Sequence, residues 1–144
     1  MVYDDLMAQP LSDEAATSGR QRILIVDDDP AQADVLAYRL SNQGFEVFVA
    51  GSGQQALDAA RIESLDLVLL DIGLPDINGL AVCRELADDE ETCGIPVIIL
   101  SGRDEADMLR AARAAGCKYF VRKPYDPNAL LLLIQDSLAT AQSW

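Results

Sequence analysis

The stretch "ILIVDDDP", Ile23 to Pro30, sets four apolar residues, three aspartates and a proline in immediate succession. The apolar run has the length of a short strand. Pro30 fits the first position of a helix, where its missing N–H is not needed and its fixed φ is already helical. A strand running straight into a helix is the first half of a β-α-β unit. Asp29, just before the proline, is suited to cap that helix. Asp27 and Asp28 are then left over: adjacent carboxylates repel one another, and the fold needs only one of the three.

The same punctuation recurs along the chain. Apolar runs rich in Val, Ile, Leu or Phe occupy 23–26, 45–49, 66–70, 96–100 and 119–122, each bounded by Asp, Gly, Ser or Pro. Their near-continuous apolarity suits a parallel sheet covered on both faces. Helical patterns lie between them. The first runs from Pro30 to Asn42 with Ala33, Leu36, Ala37 and Leu40 on one face and Gly44 just beyond its end. The second follows Ser52, the third follows Asn78-Gly79, the fourth opens at Asp104 and closes at Gly116, and the fifth starts at Asp126-Pro127. Alternating strands and helices without a repeat predict one doubly wound α/β domain over 21–142. Residues 1–20, with Asp4, Asp5, Asp13 and Glu14 and no sustained period, are expected to form a flexible acidic N-terminal arm.

Composition narrows the function. Eleven Lys and Arg against 24 Asp and Glu give a net charge of −13, which repels nucleic acid and anionic lipid alike. No apolar run approaches the length of about 20 residues that spans a bilayer, and no signal pattern opens the chain. A cytoplasmic protein without membrane or direct nucleic-acid binding is expected. Histidine is absent, which removes Ser-His and Cys-His nucleophile pairs and any phosphohistidine within the chain. Cys83, Cys93 and Cys117 lack metal-type spacing and are expected as unpaired small hydrophobes in a reducing cytosol.

In doubly wound sheets, ligands bind beyond the carboxyl ends of the strands. The residues there are Asp27 and Asp28 after the first strand, Asp71 after the third, Ser101 after the fourth and Lys123-Pro124 after the fifth. Carboxylates gathered there need a cation to stay ionised. An all-oxygen pocket suits a hard ion, Mg²⁺ or Mn²⁺. Lysine, found only at Lys118 and Lys123, is a point charge suited to a phosphoryl oxygen. No GxxxxGK[ST] loop cradles a nucleotide. The chemistry that remains is attack of a carboxylate on phosphorus, forming an acyl phosphate.

Together "ILIVDDDP", "LVLLDIGLPDINGL", "VIILSG" and "YFVRKPY" resemble the strand-end motifs of bacterial two-component response regulator receiver domains, over residues 22 to about 140. That resemblance implies a flavodoxin- or CheY-like sheet of order 2-1-3-4-5 flanked by five helices. It implies Asp71 as phospho-acceptor, with Asp27, Asp28, Asp71 and the backbone carbonyl of Gly73 holding Mg²⁺. Ser101 would bond the phosphoryl group, Lys123 would salt-bridge it, and Lys123-Pro124 would be cis. Phe120 falls at an aromatic switch position, without the phenolic OH that a tyrosine would bring. A histidine kinase or histidine phosphotransfer protein would be the donor, and the chain would catalyse only its own phosphorylation and dephosphorylation.

Three further readings stay open. The fourth helix, fifth strand and fifth helix, with Arg110, Arg113, Lys118, Arg122 and the leucine run from Leu130, form either an ordinary packed layer or a homodimer or partner face. A Mg²⁺-dependent phosphohydrolase of the haloacid-dehalogenase kind would need an acid two residues after Asp71, where Gly73 stands. A non-phosphorylated docking receiver is the remaining alternative. The chain is expected to be either stand-alone or cut from a longer regulator.

Overall fold

The computed structural model describes residues 19–102, 106–117 and 119–142. The expected arm over 1–20, all but its last two residues, lies outside them, as do the expected helix start at Asp104 and Lys118. Five parallel strands, β1 (Arg22–Val26), β2 (Glu46–Ala50), β3 (Leu67–Asp71), β4 (Val97–Ser101) and β5 (Tyr119–Arg122), form one sheet in the order β2-β1-β3-β4-β5. The helices between and after them are α1 (Pro30–Asn42), α2 (Gly53–Ile62), α3 (Gly79–Asp88), α4 (Ala106–Ala114) and α5 (Pro127–Gln142).

Side chains alternate across the sheet, and the alternation builds two cores. Ile23, Ile25, Leu67, Leu69, Ile98 and Leu100 face α1 and α5, meeting Leu36, Leu40, Leu130 and Ile134. Leu24, Val26, Val68, Leu70, Val97 and Ile99 face the other way, onto Ala56, Leu57, Val82, Leu86 and Ala112 from α2, α3 and α4. A strand apolar at every position is what a sheet buried on both faces requires.

Local chemistry fixes the helix ends. Asp29 accepts from the N–H groups of Ala31 and Gln32 at 3.0 and 3.5 Å, ahead of Pro30. Gly44, at φ +96°, closes α1: the Phe45 N–H reaches the Leu40 carbonyl and the Gly44 N–H that of Ser41. Only glycine adopts that φ without strain. Asn78 caps α3 through the Leu80 N–H at 2.7 Å. Asp76, in the β3–α3 loop, clasps the start of α2. Its carboxylate accepts from the Gly53 and Gln54 N–H groups at 2.8 and 3.0 Å.

The structure corrects two readings in detail. The β2, β3 and β4 spans sit one residue later than their apolar runs, because the ladder continues through Asp71 and Ser101, opposite Leu100 and Arg122. The cysteines are not all unpaired: Cys83 on α3 and Cys117 after α4 are joined as a disulfide, with Cα atoms 6.7 Å apart, and Cys93 is exposed. Packing of α3 beside the end of α4 brings the two together, which no spacing along the chain reveals.

Candidate functional site

The parallel register sets the height of each site residue. Val26 is level with Ala50 on one side and Leu70 on the other. Asp27 and Asp71 therefore leave adjacent strands at the same height. Ser101 lies one step farther along β4, and Lys123, following Arg122, one step beyond that. Strand order reverses between β1 and β3, so the crevice that the topology opens falls on these residues.

Carboxylate oxygens of Asp27, Asp28 and Asp71 lie within 4.8 Å of one another. Asp27 is buried, at 9% exposure, Asp71 half-buried and Asp28 exposed. Burial pushes the Asp27 carboxyl above its ordinary value. The Asp29 N–H, donated to Asp27 Oδ1 at 2.9 Å, and the Lys123 ammonium oppose that shift, and Asp71 adds to it. Lys123 Nζ stands 3.5 Å from Asp71 Oδ2 and 3.8 Å from Asp27 Oδ2.

The donor set fits a hard divalent ion. It is all oxygen, and ligand oxygens at about 2.1 Å from Mg²⁺ can lie about 4.2 Å apart across the ion. Neighbouring oxygens in an octahedral shell lie about 3.0 Å apart, so the three carboxylates would draw in around the ion. One cation would also relieve the opposed charges around buried Asp27. Gly73 lies at the rim and donates its N–H to Asp71 Oδ1 at 3.1 Å.

Residues 23–135 match the family described as the response regulator receiver domain. The chain belongs to that family. This receiver is 40% identical over 119 residues to the DNA-binding response regulator MtrA of Mycolicibacterium smegmatis, covering 83% of this chain and 51% of MtrA. It is 38% identical over 118 residues to Protein PilH of Pseudomonas aeruginosa, covering 82% of this chain and 98% of PilH. A crystal structure of a CheY-like response regulator receiver domain protein from Methanospirillum hungatei JF-1 shares the fold at TM-score 0.82 and 30% identity, covering 86% and 98% of the two chains. The chain thus spans about half the length of the MtrA proteins it matches. Among the described residues no helix is long and apolar enough to cross a membrane.

The receiver brings together Asp27, Asp28, Asp71 and Lys123, with Gly73 adjoining. Ser101 is fully buried at the end of β4, and its carbonyl accepts the Lys123 N–H at 2.7 Å. The Lys123-Pro124 bond is cis. Phe120 is half-buried in β5 against the core shared with α2 and α3. On the layer of α4, β5 and α5, Leu109 and Leu132 are exposed, Leu132 by 67%. A concavity of about 660 Å³ between α1 and α5, lined by Val35, Tyr38 and Leu131 among others, includes none of the site residues.

One site residue has no counterpart in the sequence reading. Gln32, in the first turn of α1, accepts a hydrogen bond from Lys123 Nζ at 3.0 Å, across 91 positions of chain. The available signal was a glutamine three residues after the capping Asp29.

Proposed function

We propose that the domain, over residues 21–142, takes a phosphoryl group onto Asp71 from the phosphohistidine of a histidine kinase or histidine phosphotransfer protein. The observation that carries this reading is the convergence of three carboxylates and the Lys123 ammonium on one sheet edge. An Asp71 carboxylate oxygen attacks phosphorus in line. The P–N bond to the donor imidazole breaks, its electron pair stays on that nitrogen, and an acyl phosphate is left on Asp71. Lys123 donates to one phosphoryl oxygen and the Ser101 hydroxyl turns toward another. A bound Mg²⁺ or Mn²⁺, held by Asp27, Asp28, Asp71 and the Gly73 carbonyl, would supply neutralisation of the charge gathered there.

As Ser101 leaves its buried position, Phe120 repacks and the layer of α4, β5 and α5 changes its contacts, as a homodimer face or toward a partner protein. Phe120 has no hydroxyl, so this switch acts through packing alone. The domain turns over nothing but its own phosphoryl group. Gly73, standing where a phosphohydrolase would carry its second acid, disfavours that alternative, and the complete acid cluster disfavours a docking receiver that is never phosphorylated. Readout by protein contact in the cytoplasm fits a chain of charge −13. Incubation with acetyl phosphate and Mg²⁺ is expected to add one phosphoryl mass, and Asp71→Asn to abolish it. An unchanged mass in the parent protein, or modification that survives Asp71→Asn, would overturn the proposal.

A further inference from the structure

Among the described residues three oxygens flank the Lys123 ammonium, and the closest is the neutral one. Gln32 Oε1 lies at 3.0 Å, whereas the two carboxylates lie at 3.5 and 3.8 Å. An ammonium drawn fully onto a carboxylate closes to about 2.7–2.9 Å. Here it is held short of that, although both carboxylates flank it.

Gln32 is free to do this because of how α1 begins. It occupies the third helical position after the capping Asp29. A glutamine there ordinarily turns back to take the capping residue's own N–H. That N–H is already committed, since Asp29 N donates to Asp27 Oδ1 at 2.9 Å. The Gln32 amide is released from the cap and reaches across the sheet edge instead. Its backbone is rigidly placed: its N–H contacts Asp29 Oδ1 at 3.5 Å, and Pro30 opens the helix. One backbone bond thus orients the buried acid and frees the glutamine.

We propose that Gln32 is a positioning residue that parks the Lys123 ammonium at the edge of the acid cluster. This rests on the phosphoryl-acceptor reading above. So held, the ammonium leaves the carboxylates open to a cation and leaves Asp71 unquenched as a nucleophile. It also stands within a short swing of a phosphoryl group on Asp71. Without the amide oxygen, Lys123 settles onto Asp71 and Asp27 and competes with the cation for them.

The test is Mg²⁺ titration of the full chain by calorimetry, on Gln32→Met and Gln32→Ala in two backgrounds. Loss of this one solvent-exposed hydrogen bond, on the scale of an ordinary net hydrogen bond, is expected to weaken Mg²⁺ binding by about fivefold. In a Lys123→Met background the same substitutions are expected to change nothing, because no ammonium remains to be parked. Gln32 is exposed, so both variants keep the core intact, and unchanged melting curves verify that. Unaltered Mg²⁺ affinity when Gln32 is replaced in the parent protein, or an equal loss in the parent and in Lys123→Met, would overturn the positioning role. A parent protein that binds Mg²⁺ but takes no phosphoryl group would instead count against the acceptor reading and leave the parking contact standing.

Discussion

Asp27 is a buried acid whose neighbours pull its charge in opposite directions. Burial, the first cause, and Asp71 favour the protonated form; the Asp29 N–H and Lys123 favour the ionised one, and burial prevails. A folded-state pKa above the unfolded one means that Asp27 favours folding below the unfolded value. That contribution is lost as pH rises through the folded value. At neutral pH without a cation, ionised Asp27 is therefore a local liability. Asp27→Asn keeps an oxygen for the Asp29 N–H and removes the charge. We expect it to raise the melting temperature of the metal-free protein by roughly 3 °C, the scale of about 1 kcal/mol in a domain this size. The further rise that Mg²⁺ gives the parent is expected to shrink. Thermal melts with and without Mg²⁺ at pH 7 decide this, and a lower melting point for the metal-free variant would contradict it. At this scale Asp27, Asp28, Asp71 and Lys123 were legible because each follows or ends an apolar run. Gln32 was not, because a glutamine in a first helical turn ordinarily serves the cap or the solvent, and its partner lies on another strand.

At the scale of elements, strands and helix stops were legible from apolar runs and from Gly44 and Gly116, both at positive φ. The last strand residues were not, since pairing with neighbours decides them. Nor was the clasp of Asp76 on α2. Its carboxyl is held below the ordinary value by the N–H groups of Gly53 and Gln54. By linkage that contact supports the fold above the unfolded pKa and fades as pH falls through the folded one. The clasp and Gly79 together hold the β3–α3 loop on which Asp71 opens. A Cβ on Gly79 would stand 2.7 Å from Ile72 Cα and 3.1 Å from the Asp71 carbonyl oxygen, both backbone atoms. Gly79→Ala must therefore shift the main chain of Asp71 and Ile72. We expect a loss of about 1–3 kcal/mol in urea denaturation together with slower uptake of phosphoryl from acetyl phosphate. Gly94→Ala, where a Cβ meets nothing within 4 Å, serves as the control. Equal stability and equal uptake in the two variants would remove the close-approach explanation.

For the whole molecule, alternation of strands and helices was enough to give the doubly wound fold, since right-handed crossovers leave few other ways to join parallel strands. The covalent link was beyond reach, because pairing Cys83 with Cys117 requires knowing that α3 lies against the end of α4. The bridge joins positions separated by 34 residues. Closing a loop of that size restricts the unfolded chain by about 3–4 kcal/mol. In a reducing compartment the two would stay neighbouring thiols, and the domain would then stand on its two apolar cores alone. Two outcomes follow for protein purified without reductant. Alkylation after unfolding is expected to modify only Cys93, and prior reduction to expose all three thiols. Reduction is also expected to lower the melting temperature, on the order of 10 °C, while leaving a cooperative transition. Three reactive thiols in the unreduced protein, or identical melts with and without reductant, would mean that the pair is not bonded in solution and that packing alone holds α3 to α4.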